Sequence, residues 1–287
     1  MDYVQMTAQL RKIALRLLES GNVCAVWGFC DNEETGTASP FAAKTADDAQ
    51  RLVWNKGCFN ILLSLMPKNA EKLAIAAKPC EVRALINLIA EKQLERSGIY
   101  IIGMKCEGME KRGRMSSSCL RCTQTIPAVY DELIDGGSVG IKNEAEDITK
   151  WLDGTTPAQR RKRLQRELDK CVLCYSCRQA CPGCRCEVCF VDRSGVNWRA
   201  PDDRTEKLTY HLTRAMHLAG RCADCGACEN ACPSGVSIKY LTDGLSEFVR
   251  SEYGFTAGEN MESAGVFNTA LTDDKETGFW QDGGDAR

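Results

Sequence analysis

Residues 73–104 read LAIAAKPCEVRALINLIAEKQLERSGIYIIGM, and this stretch decides the fold of the first half of the chain. Leu73–Ala77 is a short, fully apolar run closed by the turn Lys78-Pro79-Cys80, as a buried strand requires. From Glu81 to Lys92, the residues Val82, Leu85, Ile86, Leu88 and Ile89 fall on one helical face. Ile99–Met104 is a second apolar strand. Strand, helix and strand at this length make a β-α-β unit, so an α/β region with a parallel sheet is expected. Val23–Gly28 can add a third strand. Upstream, Met1–Ser20 is interrupted by Arg11, Lys12 and Arg16, and reads as an amphipathic helix rather than a signal-peptide core. Downstream, Ala128–Ile134 reads as a helix ended by the glycine-rich turn Asp135–Gly140. No Gly-x-Gly-x-x-Gly dinucleotide fingerprint follows a strand.

Cys80 then lies just past the C-terminal end of one strand, and Cys106 just past the end of the other. Open α/β sheets place their ligands on that edge. Cys119-Leu-Arg-Cys122 follows after a loop rich in Gly and Ser. Four such thiols can close a tetrahedral site; ordinary buried thiols are the alternative. Cys24, Cys30 and Cys58 have no partner at metal spacing and read as small buried hydrophobes. Cys58 shares an amphipathic stretch with Leu52, Val53, Phe59 and Leu62, which fits a core helix. Trp27, Trp54 and Trp198 read as packing residues.

The second half is organised by cysteine. Of 18 cysteines in 287 residues, seven precede residue 171 and eleven lie between Cys171 and Cys232. With no export signal, disulfides are disfavoured by a reducing cytoplasm, and metal is the first explanation. Cys171-x2-Cys174-x2-Cys177-x3-Cys181-Pro182 is followed by a second copy, Cys222-x2-Cys225-x2-Cys228-x3-Cys232-Pro233. This is the ferredoxin-type spacing for cubane [4Fe-4S] clusters, in which the fourth cysteine serves the other cluster. Cys171, Cys174, Cys177 and Cys232 are therefore expected to hold one cluster, and Cys222, Cys225, Cys228 and Cys181 the second. A third cysteine in each copy exceeds what structural zinc needs. Between the copies, Asp202–Gly220 carries Leu208, Leu212, Ala215, Met216 and Ala219 at helical spacing. His211 and His217, the chain's two histidines, lie in that helix and read as packing or surface residues rather than ligands. Cys184-x-Cys186-x2-Cys189 follows the first motif directly. Those thiols can hold another cluster with a cysteine from elsewhere, bind zinc, or meet a partner, and the spacing does not choose.

Two resemblances follow from these motifs. Two ferredoxin-type motifs separated by a helix resemble the α-helical ferredoxin domain of the heterodisulfide reductase small subunit and the succinate dehydrogenase iron–sulfur subunit. Ala77-Lys-Pro-Cys80-Glu-Val-Arg-Ala-Leu85, Gly103-Met-Lys-Cys106-Glu-Gly108 and Cys119-x2-Cys122 resemble the beta subunit of deazaflavin-coenzyme-reducing hydrogenase and formate dehydrogenase, over roughly residues 1–140. That family carries a [4Fe-4S] cluster near FAD. The resemblance implies that Cys80, Cys106, Cys119 and Cys122 ligate a third cluster, and it makes bound FAD possible. Glu81 stands where Gln is common in that family.

The expected organisation is an α/β domain over 1–155, a mostly α-helical dicluster ferredoxin domain over 156–250, and an irregular tail over 251–287. The tail holds eight acidic residues against two basic ones and reads as disordered or laid over a partner. Thr156-Pro157 is a favourable helix start, and the Arg-rich stretch to Lys170 reads as a solvated helix face. A formal net charge of -2 gives no reason to expect nucleic-acid binding, and the absence of any long apolar run gives none to expect a membrane span. The function these readings imply is a cytoplasmic electron-transfer subunit of an anaerobe's oxidoreductase complex, of heterodisulfide-reductase, hydrogenase or formate dehydrogenase type. Its partners would be flavin-bearing or catalytic subunits, and no catalytic acid or base is expected in it. The alternative is a FAD-containing catalytic subunit that exchanges hydride with a deazaflavin.

Overall fold

The computed structural model describes residues 1–32, 37–59, 62–67, 72–111, 113–115, 117–137, 148–192, 203–237, 239–262 and 265–266. Trp198 and most of the acidic tail lie outside them, as do Ser138–Gly140 of the glycine-rich turn. The strands are β1 (Ala25–Asn32), β2 (Thr37–Ala43), β3 (Leu52–Val53), β4 (Leu73–Ala77), β5 (Ile99–Met104), β6 (Glu110–Lys111), β7 (Arg114–Met115) and β8 (Glu132–Ile134). The N-terminal helices are α1 (Tyr3–Glu19), α2 (Ala46–Arg51), α3 (Leu62–Leu65), α4 (Pro79–Ala90) and α5 (Ser117–Leu120). They are followed by α6 (Ile148–Asp153), α7 (Pro157–Lys170), α8 (Ser176–Gln179), α9 (Arg204–His217), α10 (Ala227–Ala231) and α11 (Lys239–Tyr253).

The main sheet runs β2-β1-β4-β5-β8, with β3 also paired to β1. β1, β4, β5 and β8 are parallel neighbours; β2 and β3 are antiparallel to β1. All five residues of β4 are buried, because this strand lies between two others and is covered on both faces. α4 supplies part of that cover with Val82, Leu85, Ile86 and Leu88. It starts at Pro79, whose missing N–H costs nothing at the first helical position. The Glu81 carboxylate accepts a hydrogen bond from the Lys78 backbone N–H at 3.1 Å. α1 is capped by Asp2, which accepts from Gln5 N–H at 2.9 Å, and buries Met6, Leu10, Ile13, Ala14 and Leu17. The β4-α4-β5 crossover puts Cys80 and Cys106 at the C-terminal edge of the sheet.

The structure corrects three local readings. Residues 132–134 form β8, parallel to β5, where a helix is expected over 128–134. Asp131 fixes this register by accepting from Ile101 N–H at 2.7 Å and pairing with Arg96 at 2.8 Å. Cys58 is fully buried, but in a loop, because Leu52 and Val53 pair with β1 instead of continuing a helix. Cys24 is exposed and Cys30 only half-buried, so neither is a core residue. Trp54 is a core residue, and Trp27 packs against the core half-buried.

Among the described residues, 148–253 contain helices and no strand. Thr156 caps α7 as expected, accepting from Gln159 N–H. A small cluster of Leu168 and Val236, with Leu164, Leu208 and Leu241 around it, joins these helices. The two halves are packed together. Ala223 belongs to the same buried core as the sheet, and Asn87 of α4 donates to the Arg221 carbonyl at 3.0 Å. Arg221 also forms a two-bond ion pair with Glu91, with Nε at 2.6 Å. Ala257 is buried, and Gly258 (φ +81°) lies so close to the Arg83 backbone that a Cβ would collide with it.

Candidate functional site

The two cysteine motifs fold in the same way. The second and fourth residues after the first cysteine take positive φ in both copies: Leu173 (49°) and Tyr175 (59°), then Asp224 (50°) and Gly226 (72°). Three of these are not glycine, and each left-handed residue costs about 1–2 kcal/mol, so the loops hold a shape the chain does not prefer. Each loop ends in a short helix, α8 or α10, that presents the third cysteine, Cys177 or Cys228. Main-chain donors turn toward the sulfurs. Leu173 N–H lies 3.4 Å from Cys171 Sγ, and Val236 N–H lies 3.3 Å from Cys232 Sγ.

Two cavities result. One is lined by Cys171, Cys174, Cys177 and Cys232, with Cys228, Tyr210 and His211 also in its wall. The other is lined by Cys181, Cys222, Cys225 and Cys228, with Arg214, Arg221 and Lys239. Each therefore takes three thiols from one motif and the fourth from the other, and Cys228 touches both. Burial pushes the Cys228 thiol up to about 12, and raises Cys222 and Cys225 as well. Cys181 is raised by its hydrogen bond to Cys184 and by burial. Packing so many thiols out of water suits a positively charged core that draws their protons off.

The N-terminal thiols gather at the sheet edge. Cys106 accepts from Gly108 N–H at 3.3 Å, and Cys119 from Met109 N–H at 3.5 Å. Cys122 donates to the Gln124 carbonyl at 3.4 Å. Burial pushes Cys106 up to about 12, and its charge neighbours include Cys119 and Cys122. Burial also raises Cys80, which lies within electrostatic reach of both Cys106 and Cys225. Among the described residues, no three His, Cys, Asp or Glu side chains converge on a point fit for one ion. A single zinc would need its sulfurs about 4 Å apart.

α9 carries groups that the sequence pattern does not reveal. Its buried side is Lys207, Tyr210, His211, Arg214 and Ala215, while Leu212 and Met216 are exposed. Of the expected stripe, Ala215 and Ala219 are buried and Leu208 packs against Leu168 and Val236, while Leu212 and Met216 are not on the inner face, which also carries polar and aromatic groups toward the thiol loops. Tyr210 Oη lies 3.2 Å from Cys177 Sγ, and His211 Nε2 lies 3.3 Å from Cys171 Sγ. Burial and the Arg214 charge hold His211 down at about 4, so its imidazole is neutral at pH 7. Arg214 donates to the Cys177 carbonyl at 3.1 Å. The signal in the sequence is the 207-210-211-214 spacing, a helical face of polar and aromatic residues. His217 meets Phe190 edge-on at 5.6 Å, as a packing residue does.

A charge network ties the second motif to the Cys119–Cys122 loop. Asp224 accepts from Ser118 at 2.8 Å and Arg121 at 2.9 Å, and pairs with Lys239 at 2.5 Å. Arg121 and Lys239 both reach Asp243 as well. Burial works against ionisation of Asp224, but Lys239 and Arg121 outweigh it and hold the carboxyl well below the usual range.

The comparisons with known proteins find similarity to beta subunits of formate dehydrogenase. The chain is similar to the F420-dependent formate dehydrogenase subunit beta of Methanocaldococcus jannaschii, with 20% identity over 69% of this chain and 76% of that protein. It is also similar to the F420-dependent formate dehydrogenase 1 subunit beta of Methanococcus maripaludis, with 22% identity over 67% of this chain and 74% of that protein. No family model matches the chain. Among the described residues, no helix is long and apolar enough to cross a membrane.

Proposed function

We propose that the chain is an iron–sulfur electron-transfer subunit of an oxidoreductase complex, passing single electrons between partner subunits. In this reading, Cys171, Cys174, Cys177 and Cys232 hold one [4Fe-4S] cluster, and Cys181, Cys222, Cys225 and Cys228 hold a second. Cys80, Cys106, Cys119 and Cys122 hold a third, and residues 156–250 are a dicluster ferredoxin domain of the α-helical type. The observation that carries the reading is the exchange of the fourth thiol between the two cavities. Ferredoxin-type motifs exchange it in the same way.

When bound, such clusters supply one-electron acceptors and donors. The chain's own groups would set their environment. Leu173, Val236, Gly108 and Met109 N–H groups direct positive dipoles at the sulfurs. Tyr210 and His211 sit against the sulfurs of the first cavity, Arg214 brings positive charge to the second, and Lys239, paired with Asp224 and Asp243, lines both. These are the levers by which a protein tunes cluster potential. The three thiol sets adjoin in series, through Cys228 and then through Cys225 and Cys80.

Iron, sulfide, zinc and flavin content of the anaerobically purified chain, with EPR after reduction, tests the proposal. About 12 iron or more without flavin agrees with at least three clusters. Cys171→Ser or Cys225→Ser is expected to remove one cluster and stop electron transfer while the N-terminal region stays folded. Full transfer by either variant, or zinc in place of iron, overturns the reading. One alternative is a FAD-containing catalytic subunit that exchanges hydride with a deazaflavin; the F420 dependence of the two relatives is compatible with it. Stoichiometric flavin would select it.

A further inference from the structure

A third cysteine-lined cavity, of about 210 Å³, lies beside the other two. Cys184, Cys186 and Cys189 line it, together with Arg178, Arg214 and Arg221. It shares Arg214, Arg221, Gly183 and Leu218 with the cavity of the second cysteine set, and Tyr210 with that of the first.

Each thiol has a guanidinium near it, and of the three only Arg214 has no carboxylate partner among the described residues. Arg178 hydrogen-bonds Cys189 and pairs with Asp192 at 2.6 Å. The charge of Arg214 acts on Cys184, and that of Arg221, which is paired with Glu91, reaches Cys186. Arg214 is 5% exposed, and its Nε has no hydrogen-bond partner among the described residues. The charge partners that act on it are the sulfurs of Cys181, Cys228, Cys184 and Cys177. A buried guanidinium with no carboxylate beside it calls for anionic sulfur. Asp192 is the acidic group in the cavity wall, and Arg178 already engages it.

We propose that this cavity holds an additional iron–sulfur cluster on the thiolates of Cys184, Cys186 and Cys189, leaving one iron without a cysteine ligand. The thiols stand in one short turn of chain, as ligands of a single cluster do, and do not converge at single-ion spacing. A thiolate-bound cluster carries net negative charge, which Arg214 opposes directly, while Arg178 and Arg221 share theirs with Asp192 and Glu91. Its position makes it a branch from the junction of the other two sets rather than an extension of their series.

The inference rests on the reading of the chain as an iron–sulfur protein, and its test separates the two. Iron and sulfide are counted on the full chain, purified anaerobically, as wild type and as the triple variant C184S/C186S/C189S. The wild type is expected to hold about 16 iron and the variant about 12, with one EPR component lost. About 12 iron in both overturns this inference and leaves the electron-transfer reading standing; zinc without iron sinks both. A second measurement needs no variant. Cys186 is exposed, so in the cluster-loaded wild type it is expected to resist iodoacetamide, and to alkylate once the clusters are destroyed. Alkylation of Cys186 with full iron retained would overturn the proposal even if the triple variant failed to fold.

Discussion

Replacing Lys78 by methionine leaves the Glu81 carboxylate in the core without its cation. The two side chains are 0% and 2% exposed and 2.8 Å apart, and Lys78 Nζ lies 5.1 Å from the Phe29 ring centroid and 5.0 Å from that of Trp54. Breaking such a pair from one side costs about 3–5 kcal/mol, because the surviving charge is stranded. Lys78→Met also loses two ring contacts, worth about 2 kcal/mol together when desolvated. Removing both charges strands neither, so K78M/E81M is expected to be more stable than either single variant. The coupling between the two sites should reach about 2–3 kcal/mol. pH separates the two singles. Burial already raises Glu81 above the usual carboxylate range, even against Lys78. Without Lys78 its folded pKa lies further above the unfolded value, so Lys78→Met regains stability as pH falls through that folded pKa. Glu81→Gln strands an ammonium instead and gains nothing over the same interval. Urea unfolding of the four proteins at pH 8 and pH 5.5, in low and high salt, measures all of this. Additive single effects, or a coupling that salt abolishes, would refute a buried pair.

Glu167 accepts from Ser237 N–H and Lys170 at 2.8 Å each, which holds its carboxyl below the usual range despite burial. Glu167→Gln is expected to lose about 1–2 kcal/mol at pH 7. That difference is present above the unfolded value near 4.3 and fades as pH falls through the folded one, which unfolding at pH 7 and pH 3 compares. Gly258→Ala drives a Cβ into the Arg83 backbone at positive φ, so limited proteolysis should cut the 254–262 segment faster than in wild type. Tyr210→Phe removes the hydroxyl at Cys177, and an EPR-monitored redox titration should find one cluster at lower potential with iron content unchanged.

The parts of the fold that could be read in advance are those whose environment is uniform. β4 is buried along its whole length, so five apolar residues in a row announce it, and α4 buries one plain aliphatic stripe. β8 escapes notice because three residues carry no measurable period, and its register depends on Asp131, a contact distant in sequence. The inner face of α9 is hidden for a different reason. Helix reading looks for aliphatic residues alone, whereas here Tyr210, His211 and Arg214 turn inward beside Ala215, with Tyr210 and His211 against cysteine sulfurs. The eight motif cysteines are legible from spacing alone. The ion pairs of Arg121 and Arg221, which join the two halves, span more than a hundred residues and leave no local trace.

The exchange of Cys181 and Cys232 between the cavities bears on how the chain is made. The first motif leaves the ribosome well before Cys232 exists, and until then its cavity lacks a wall. The second motif has its wall waiting, but cannot use it until α9 has folded back to bring Cys181 alongside. Neither set of four thiols is therefore complete until the second motif has been made. A chain cut short anywhere between the motifs would contain no finished cavity of this pair and would leave the four thiols of the first motif loose.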